Sequence, residues 1–372
     1  MLNNYLYRDK TGLYEYNPAT QDKLSLHHLL PSERQQLINE SLTVINTTFN
    51  PADPNQFIPT GNCYYHNTFK RFKPTHTSAT DIKPFTELLD RLFPDSEDYQ
   101  TVLSFIAHII QHPDIRPSYG LLLTSESGTG KGFLYSAVLR PLLSNQTVQL
   151  DNYNALFNKH STALSNTLLV MLDDPKSDHK STMTKLKSAL TEPTRQIEEK
   201  FKEARTVNTY SRIILASNER LPLKLNESDV RRWYAPKYIQ HRVNKHETVE
   251  FIESIANQID LSAIYNYLLN YDLTSFNPFS PRETETLKGM LEASKSDVED
   301  EIEEFLGDTK VFSLNDLKIY LSESITDSEL SSYLCELGYT RKKIRTRDTN
   351  KEIRVWCHNT IKPSQAADLF SF

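Results

Sequence analysis

Three short apolar runs mark the middle of the chain: Gly120 to Leu123 (GLLL), Asn166 to Asp174 (NTLLVMLDD) and the second half of Thr206 to Ser217 (TVNTYSRIILAS). Each is too short for a buried helix and is bounded by turn residues, so each reads as a strand buried on both faces. Upstream, Ile82, Phe85, Leu88, Leu89 and Leu92 recur at three and four residues, and Tyr99 to Ile110 repeats the pattern up to Pro113. These predict two packing helices, punctuated by Pro94. Lys185 to Leu190 predicts a short helix, and Glu247 to Tyr271 has regular helical spacing until Phe276 to Pro281 (FNPFSP) breaks it. In residues 1–80 only Ser32 to Ile45 looks helical. Cys63 to Phe72 alternates like an edge strand or hairpin whose Lys70, Arg71 and Lys73 lie on a solvated face in preference to DNA.

The first apolar run leads into SESGTGKG and then an amphipathic segment with Phe133, Leu134, Ala137 and Val138 at helical spacing. A strand, a glycine-containing loop and a helix start make a phosphate cradle of Ser127, Gly128, Thr129, Gly130, Lys131, Gly132 and Phe133. Gly128 and Gly130 let backbone N–H groups curl round an anion, and Lys131 adds a charge at the positive end of a helix dipole. The expected ligand is a nucleoside triphosphate. Ser125 stands where the usual pattern has its first glycine, which requires a negative φ. Gly132 stands where a Ser or Thr hydroxyl normally ligates Mg²⁺, so the metal needs another oxygen, from water or a carboxylate. The plainer alternative is a strand-to-helix turn with a surface lysine.

The second run ends in two acids. Asp173 is placed to hold Mg²⁺, directly or through water, and Asp174 to orient or deprotonate an attacking water, with Pro175 stopping the strand. Next, Arg195 to Lys200 (RQIEEK), a tip of Phe201, Lys202, Glu203, Ala204 and Arg205, and the strand after it predict a hairpin with a basic, aromatic tip. Asn218 closes the third strand, where it either holds the attacking water or simply turns the chain. In Asp229 to Tyr234 (DVRRWY) the adjacent Arg231 and Arg232 cannot face one way. One is expected to pair with the nearby acid and the other to reach a neighbouring subunit's triphosphate.

Charge changes sign near the C-terminus. Glu292 to Asp308 has eight acids against Lys295, with Val298, Ile302, Phe305 and Leu306 in helical register. Two short helices follow, Ser313 to Leu321 and Thr326 to Leu337, each opening at a good N-cap. Tyr339 to Thr346 and Glu352 to Cys357 then predict a hairpin, and Tyr339 to Arg354 has seven Lys and Arg against two acids. Helix, helix, basic hairpin is the layout of a winged helix, with Lys342 and Lys343 among the candidates for DNA phosphates; docking of protein partners is the alternative. The formal net charge of −6 argues against general coating of nucleic acid, and three scattered cysteines fit neither a zinc ribbon nor a disulfide framework. With no signal peptide and no apolar run long enough for a bilayer, the expectation is a cytoplasmic protein without membrane contact, in a host cell if phage-encoded.

The SxxGTGKG loop, LLVMLDD, IEEKFKEARTVNTYSRIILASNE and DVRRWY together resemble the motifs of superfamily 3 helicases, an AAA+ class of viral and mobile-element replication proteins. The order and spacing are similar to the helicase halves of phage primase/helicase proteins, including primase-polymerases, and the resemblance covers Asp81 to the C-terminus. It implies an α/β fold: an AAA+ P-loop NTPase core, a parallel sheet with helices on both faces, between an N-terminal helical region and a winged-helix-like domain. The corresponding division is 1–80 of unclear role, 81–115 helical, 116–245 ATPase core, 246–290 helical extension and linker, and 291–372 winged-helix-like. It further implies a homo-oligomeric ring, commonly a hexamer, that takes ATP and Mg²⁺ between subunits and moves single-stranded DNA through its pore. Carried over, Lys131 binds phosphate, Asp173 and Asp174 form the metal and water site, Asn218 senses the γ-phosphate, and Arg231 or Arg232 serves the adjacent subunit. Lys200 lies on the hairpin that grips DNA, with Phe201 and Lys202 at its tip. No primase or polymerase motif precedes Asp81, so the expectation is a fragment of a longer protein or a partner primase. The alternative is a nucleotide-regulated initiator or scaffold ring with slow or absent hydrolysis, and a packaging motor is a weaker third.

Overall fold

The computed structural model describes residues 5–370 apart from 10–11, 79–80, 154–155, 157–163, 177–179, 198–204, 224, 295–296, 322–324 and 346–351. The chain divides into two compact units, Met1–Leu291 and Glu292–Phe372.

The first unit opens with six strands, β1 (Tyr5–Asp9), β2 (Gly12–Tyr16), β3 (Lys23–Ser25), β4 (Leu42–Thr48), β5 (Phe57–Thr60) and β6 (Cys63–Asn67), in the order β3-β2-β1-β4-β6-β5. The helix expected over residues 32–45 is shorter. It runs Pro31–Glu40, and the Leu42–Thr48 stretch is a strand instead, because Thr43, Val44, Ile45, Thr47 and Thr48 suit a pleated sheet. One sheet face packs Leu6, Leu13 and Leu26 against Leu37 and Ile38 of that helix. The other gathers Tyr7, Tyr16 and Val44 with Tyr5, Tyr14 and Phe57. β6 forms a hairpin with the edge strand β5, and Lys70, Arg71 and Lys73 follow it on irregular chain rather than on a strand face.

Two helices, Lys83–Leu92 and Ser96–Gln111, lead to the second sheet. The first buries Phe85, Leu88, Leu89 and Leu92, each contributing roughly 1.5–3 kcal/mol. The second is capped by Asp95, which accepts from the N–H groups of Glu97 and Asp98. Buried Asp98 takes hydrogen bonds from Tyr234 Oη at 2.6 Å and Lys237 N at 2.9 Å, tying this helix to the far edge of the sheet.

That sheet has five parallel strands, β7 (Gly120–Thr124), β8 (Thr147–Asn152), β9 (Leu169–Lys176), β12 (Arg212–Ser217) and β13 (Trp233–Tyr234), ordered β13-β7-β12-β9-β8; β10 (Thr194–Ile197) and β11 (Arg205–Asn208) form a separate antiparallel ribbon. Its central strands are continuous apolar runs because both faces are covered. Leu121, Leu123, Leu169, Met171, Ile214 and Ala216 face the core built on the two preceding helices, the segment after the loop, and the helices Lys245–Ala256 and Leu261–Leu269. Leu122, Val170, Leu172, Ile213 and Leu215 face a second core with Leu186 and Leu190 of helix Lys180–Thr191 and Leu287 and Met290 of helix Glu285–Ala293. β9 continues through Pro175 to Lys176, past the expected stop. Pairing with β12 has ended at Asp173 and that with β8 is irregular here, so the missing proline N–H breaks no regular ladder.

The second unit holds helices Asp297–Asp308, Leu314–Tyr320 and Asp327–Glu336, the latter two with capping boxes at Ser313 and Thr326, and a final helix Pro363–Leu369. A three-stranded antiparallel sheet, β14 (Val311–Phe312), β16 (Glu352–His358) and β15 (Tyr339–Arg345), completes it. Ile302, Phe312, Leu317, Leu330, Leu334 and Trp356 form its main core.

Candidate functional site

The C-terminal ends of β7, β12 and β9 deliver a loop and the side chains of Ser217, Asn218, Asp173 and Asp174 to one place. After Thr124, Ser125 has a negative φ, so a side chain is tolerated where glycine is usual. Its N–H donates to Ser217 O at 2.9 Å, extending the strand pairing by one residue. Gly128 (φ +85°) and Gly130 (φ +109°) then turn the chain through left-handed conformations that favour glycine. Ser127 and Gly128 are exposed and Thr129 is buried. Lys131–Phe133 starts a helix that widens to a π-helical Leu134–Leu139 before Arg140–Leu142. Pro141 cannot donate to the carbonyl four residues back and crowds it, and the wider turn, with Arg140 N donating to Tyr135 O, relieves that conflict. Phe133 is half-buried against the core, and Gly132 is exposed, with nothing within 4 Å of where a Cβ would stand.

Lys131 Nζ donates to Ser217 O at 3.0 Å. Burial pushes its pKa below the usual lysine value, while Asp174 and then Asp173 push it back up. β12 lies between the loop strand and the acid strand, so Asn218, at its end, reaches Asp174. Asp174 Oδ1 accepts from Asn218 N at 2.7 Å and Ser217 Oγ at 3.0 Å, and Asn218 Nδ2 donates to Oδ2. Asp174 itself has φ +44°, a left-handed conformation costing roughly 1–2 kcal/mol, which these bonds offset. Half-buried Asp173 accepts from Gln149 Nε2 on β8 at 2.9 Å. Sequence reasoning misses Gln149 and Ser217 as site residues. β8 is half-exposed and carries no apolar run, and Ser217 is only the last residue of a strand pattern.

The structure separates the two arginines. Both close a 3₁₀ helix, Glu227–Arg232, just before β13. Arg232 Nη1 lies 3.6 Å from buried Asp229 Oδ1, which Lys187 Nζ also approaches at 3.2 Å, whereas Arg231 is exposed. Lys200, Phe201 and Lys202 fall outside the described residues, and Arg205 opens β11 opposite Ile197. On the C-terminal hairpin, Lys342 donates to the carbonyls of Asn359 (3.3 Å) and Ile361, within its own unit. Lys343 is exposed and pairs with Glu352 at 2.9 Å, on the same face as Arg341, Arg345 and Arg354. Among the described residues no three His, Cys, Asp or Glu side chains cluster as a metal site, and no helix is long and apolar enough to cross a membrane.

With this geometry in place, comparison with known proteins narrows the setting. Residues 123–232, from the end of β7 to the two arginines, match a family of unknown function, DUF5906. A DNA primase-polymerase of Nitratiruptor phage NrS-1 is 25% identical over 193 residues, 49% of this chain and 26% of that protein. The matched part is thus about a quarter of the relative's length. The apo structure of the C-terminal region of NrS-1 aligns with TM-score 0.65 at 18% identity, covering 95% of this chain and 96% of that one. The two share a fold. A second structure of the region, its A form, gives TM-score 0.62 at 19% identity. Nearly the whole span from the N-terminal sheet to the C-terminal hairpin therefore has a counterpart in one region of the phage NrS-1 protein.

Proposed function

We propose that this chain is a phage DNA-replication protein acting as an ATP-driven helicase or translocase, with an AAA+ P-loop core, a winged-helix-like C-terminal unit and an oligomeric ring through which single-stranded DNA moves. The observation that carries the reading is the convergence of Lys131, Asp174 and Asn218 around Ser217 at the mouth of a parallel sheet, directly after a loop with two left-handed glycines. A cradle of backbone N–H groups with a half-buried ammonium suits a polyphosphate, and two adjacent carboxylates suit the protein's share of a Mg²⁺ shell. Similarity to a primase-polymerase supports replication as the setting.

In this reading residues 127–133 would hold ATP, and Asp173 and Asp174 would hold Mg²⁺, which would supply neutralisation of the phosphate charge. Lys131 holds phosphate oxygens. Gln149 fixes Asp173, while Asn218 and Ser217 hold Asp174 in its strained conformation; its carboxylate would orient or deprotonate the attacking water. Arg231, the exposed arginine, is offered to the next subunit's phosphates. Gly132 favours the second reading, an initiator or scaffold ring with slow hydrolysis, because no hydroxyl stands ready for the metal there.

Steady-state ATP hydrolysis with and without single-stranded DNA decides between them. The motor reading expects turnover stimulated by single strands and reduced at least about 100-fold in Lys131→Ala. Background turnover under both conditions overturns it, and stimulation by duplex alone points to a packaging motor.

A further inference from the structure

The segment leading into helix Lys245–Ala256 is strapped across the phosphate loop by contacts that the motif pattern does not contain. Glu126 N donates to Ile239 O, and Ile239 N to Thr124 O, both at 2.9 Å. His241 N donates to Glu126 Oε2 at 3.0 Å, and its Nε2 donates to Ser127 O at 3.2 Å while Nδ1 lies 2.8 Å from Thr248 Oγ1. The stem of Lys245 ends up over the loop. A Cβ built on Gly128 would stand 3.1 Å from Lys245 Cε and 3.8 Å from its Cδ and Cγ.

The charges along this strap are otherwise matched. Lys237 pairs with Asp95 at 2.7 Å, Arg242 with Asp90 at 2.5 Å and His246 lies 3.3 Å from Glu250. Exposed Lys245 has no carboxylate partner among the described residues. The cation left without an anion is therefore the one lying on the anion cradle.

We propose that Lys245 is a second phosphate-binding cation, closing over a nucleotide's phosphates from the strap while Lys131 holds them from beneath; the proposal rests on the nucleotide reading given above. Lys131 is the lysine beside Asp173 and Asp174, and Lys245 lies over Gly128, three residues upstream. The contact assigned to it is with phosphates that ATP and ADP share. Gly128 is glycine for two reasons: its positive φ, and the room the lysine stem needs.

The experiment measures binding of fluorescent ATP and ADP analogues, and the KM and kcat of hydrolysis, for wild type, Lys245→Met, Lys245→Arg and Lys131→Ala. Lys245→Met keeps the stem and removes the charge, so Kd for both nucleotides and KM should rise about tenfold, equivalent to about 1.4 kcal/mol, with kcat little changed. Lys245→Arg should stay within about threefold of wild type, a rescue that a purely structural role would not give. Unchanged Kd in Lys245→Met, with binding lost in Lys131→Ala, overturns this proposal and leaves the nucleotide reading standing. A wild-type chain that binds neither analogue overturns both.

Discussion

Gly132 concentrates the question of hydrolysis in one missing hydroxyl. Its backbone sits in the first helical turn after the loop, its φ is not positive, and open space surrounds the place of a Cβ. Gly132→Ser should therefore fold at no steric cost and gain a few tenths of a kcal/mol of helix propensity. If ATP and Mg²⁺ occupy the cradle, the added oxygen should lower the Mg²⁺ concentration for half-maximal turnover at least about threefold and raise kcat, read from a magnesium titration. An unchanged titration would place the metal away from this turn. His108 makes a separate residue-scale prediction. It is buried against His112 and Phe276, and burial, then Arg212 and His112, push its pKa down to about 3. The folded state thus keeps it neutral, while the unfolded state protonates near the ordinary value of 6.5. The stability this residue contributes is fully present above 6.5 and lost as pH falls from there towards 3, by up to about 1.4 kcal/mol per unit. Urea unfolding at pH 7 and 5 should show a loss of up to about 2 kcal/mol in wild type and a smaller one in His108→Leu.

At the scale of elements, legibility in the sequence follows apolar content. β7, β9 and β12 are readable because burial on both faces makes each a run of Leu, Val, Ile or Met. β8, TVQLDN, escapes because it is half-exposed and largely polar, although it carries the glutamine that holds Asp173. β13 is two residues long and too short to give a period. The expected helix over residues 32–45 runs into β4 because Leu42 and Ile45 continue its spacing by chance while the composition has already turned β-branched. Arg212 is invisible for another reason: fully buried, it donates to the carbonyls of Pro113, Tyr210, His112 and Ile115, and no local pattern announces such partners. The ribbon of β10 and β11 carries the element-scale prediction. If its connection touches single strands, Lys200→Ala with Lys202→Ala should reduce the slope of log affinity against log salt by about 0.7 for each DNA phosphate that is no longer neutralised, with ATP binding intact. An unchanged slope would assign DNA binding to another surface, first among them the Arg341, Lys343, Arg345 and Arg354 face of the C-terminal hairpin.

For the whole molecule, the decisive matter is whether the site is completed by a neighbour. Asp229 holds Arg232 in its own subunit, so Arg232→Ala should act mainly on stability; Arg231 is exposed one residue earlier and has the freedom to cross a seam. In a ring built by heterologous contacts every seam pairs the loop of one chain with the arginine of the next. Arg231→Ala should then bind nucleotide normally yet hydrolyse it at least about 100-fold more slowly, as should any ring made only of Lys131→Ala chains. Mixing these two inactive variants before assembly separates a crossing arginine from one acting within its own chain. Where an Arg231→Ala chain contributes its intact loop and a Lys131→Ala chain its intact arginine, the seam is whole, and random equimolar assembly makes about a quarter of seams so. ATP turnover should therefore recover to as much as about a quarter of wild type if seams fire independently, and less if the ring fires in concert. No recovery at any ratio, with mixed assemblies verified by tagged chains, would leave the arginine serving its own subunit or none and remove the reason for a ring.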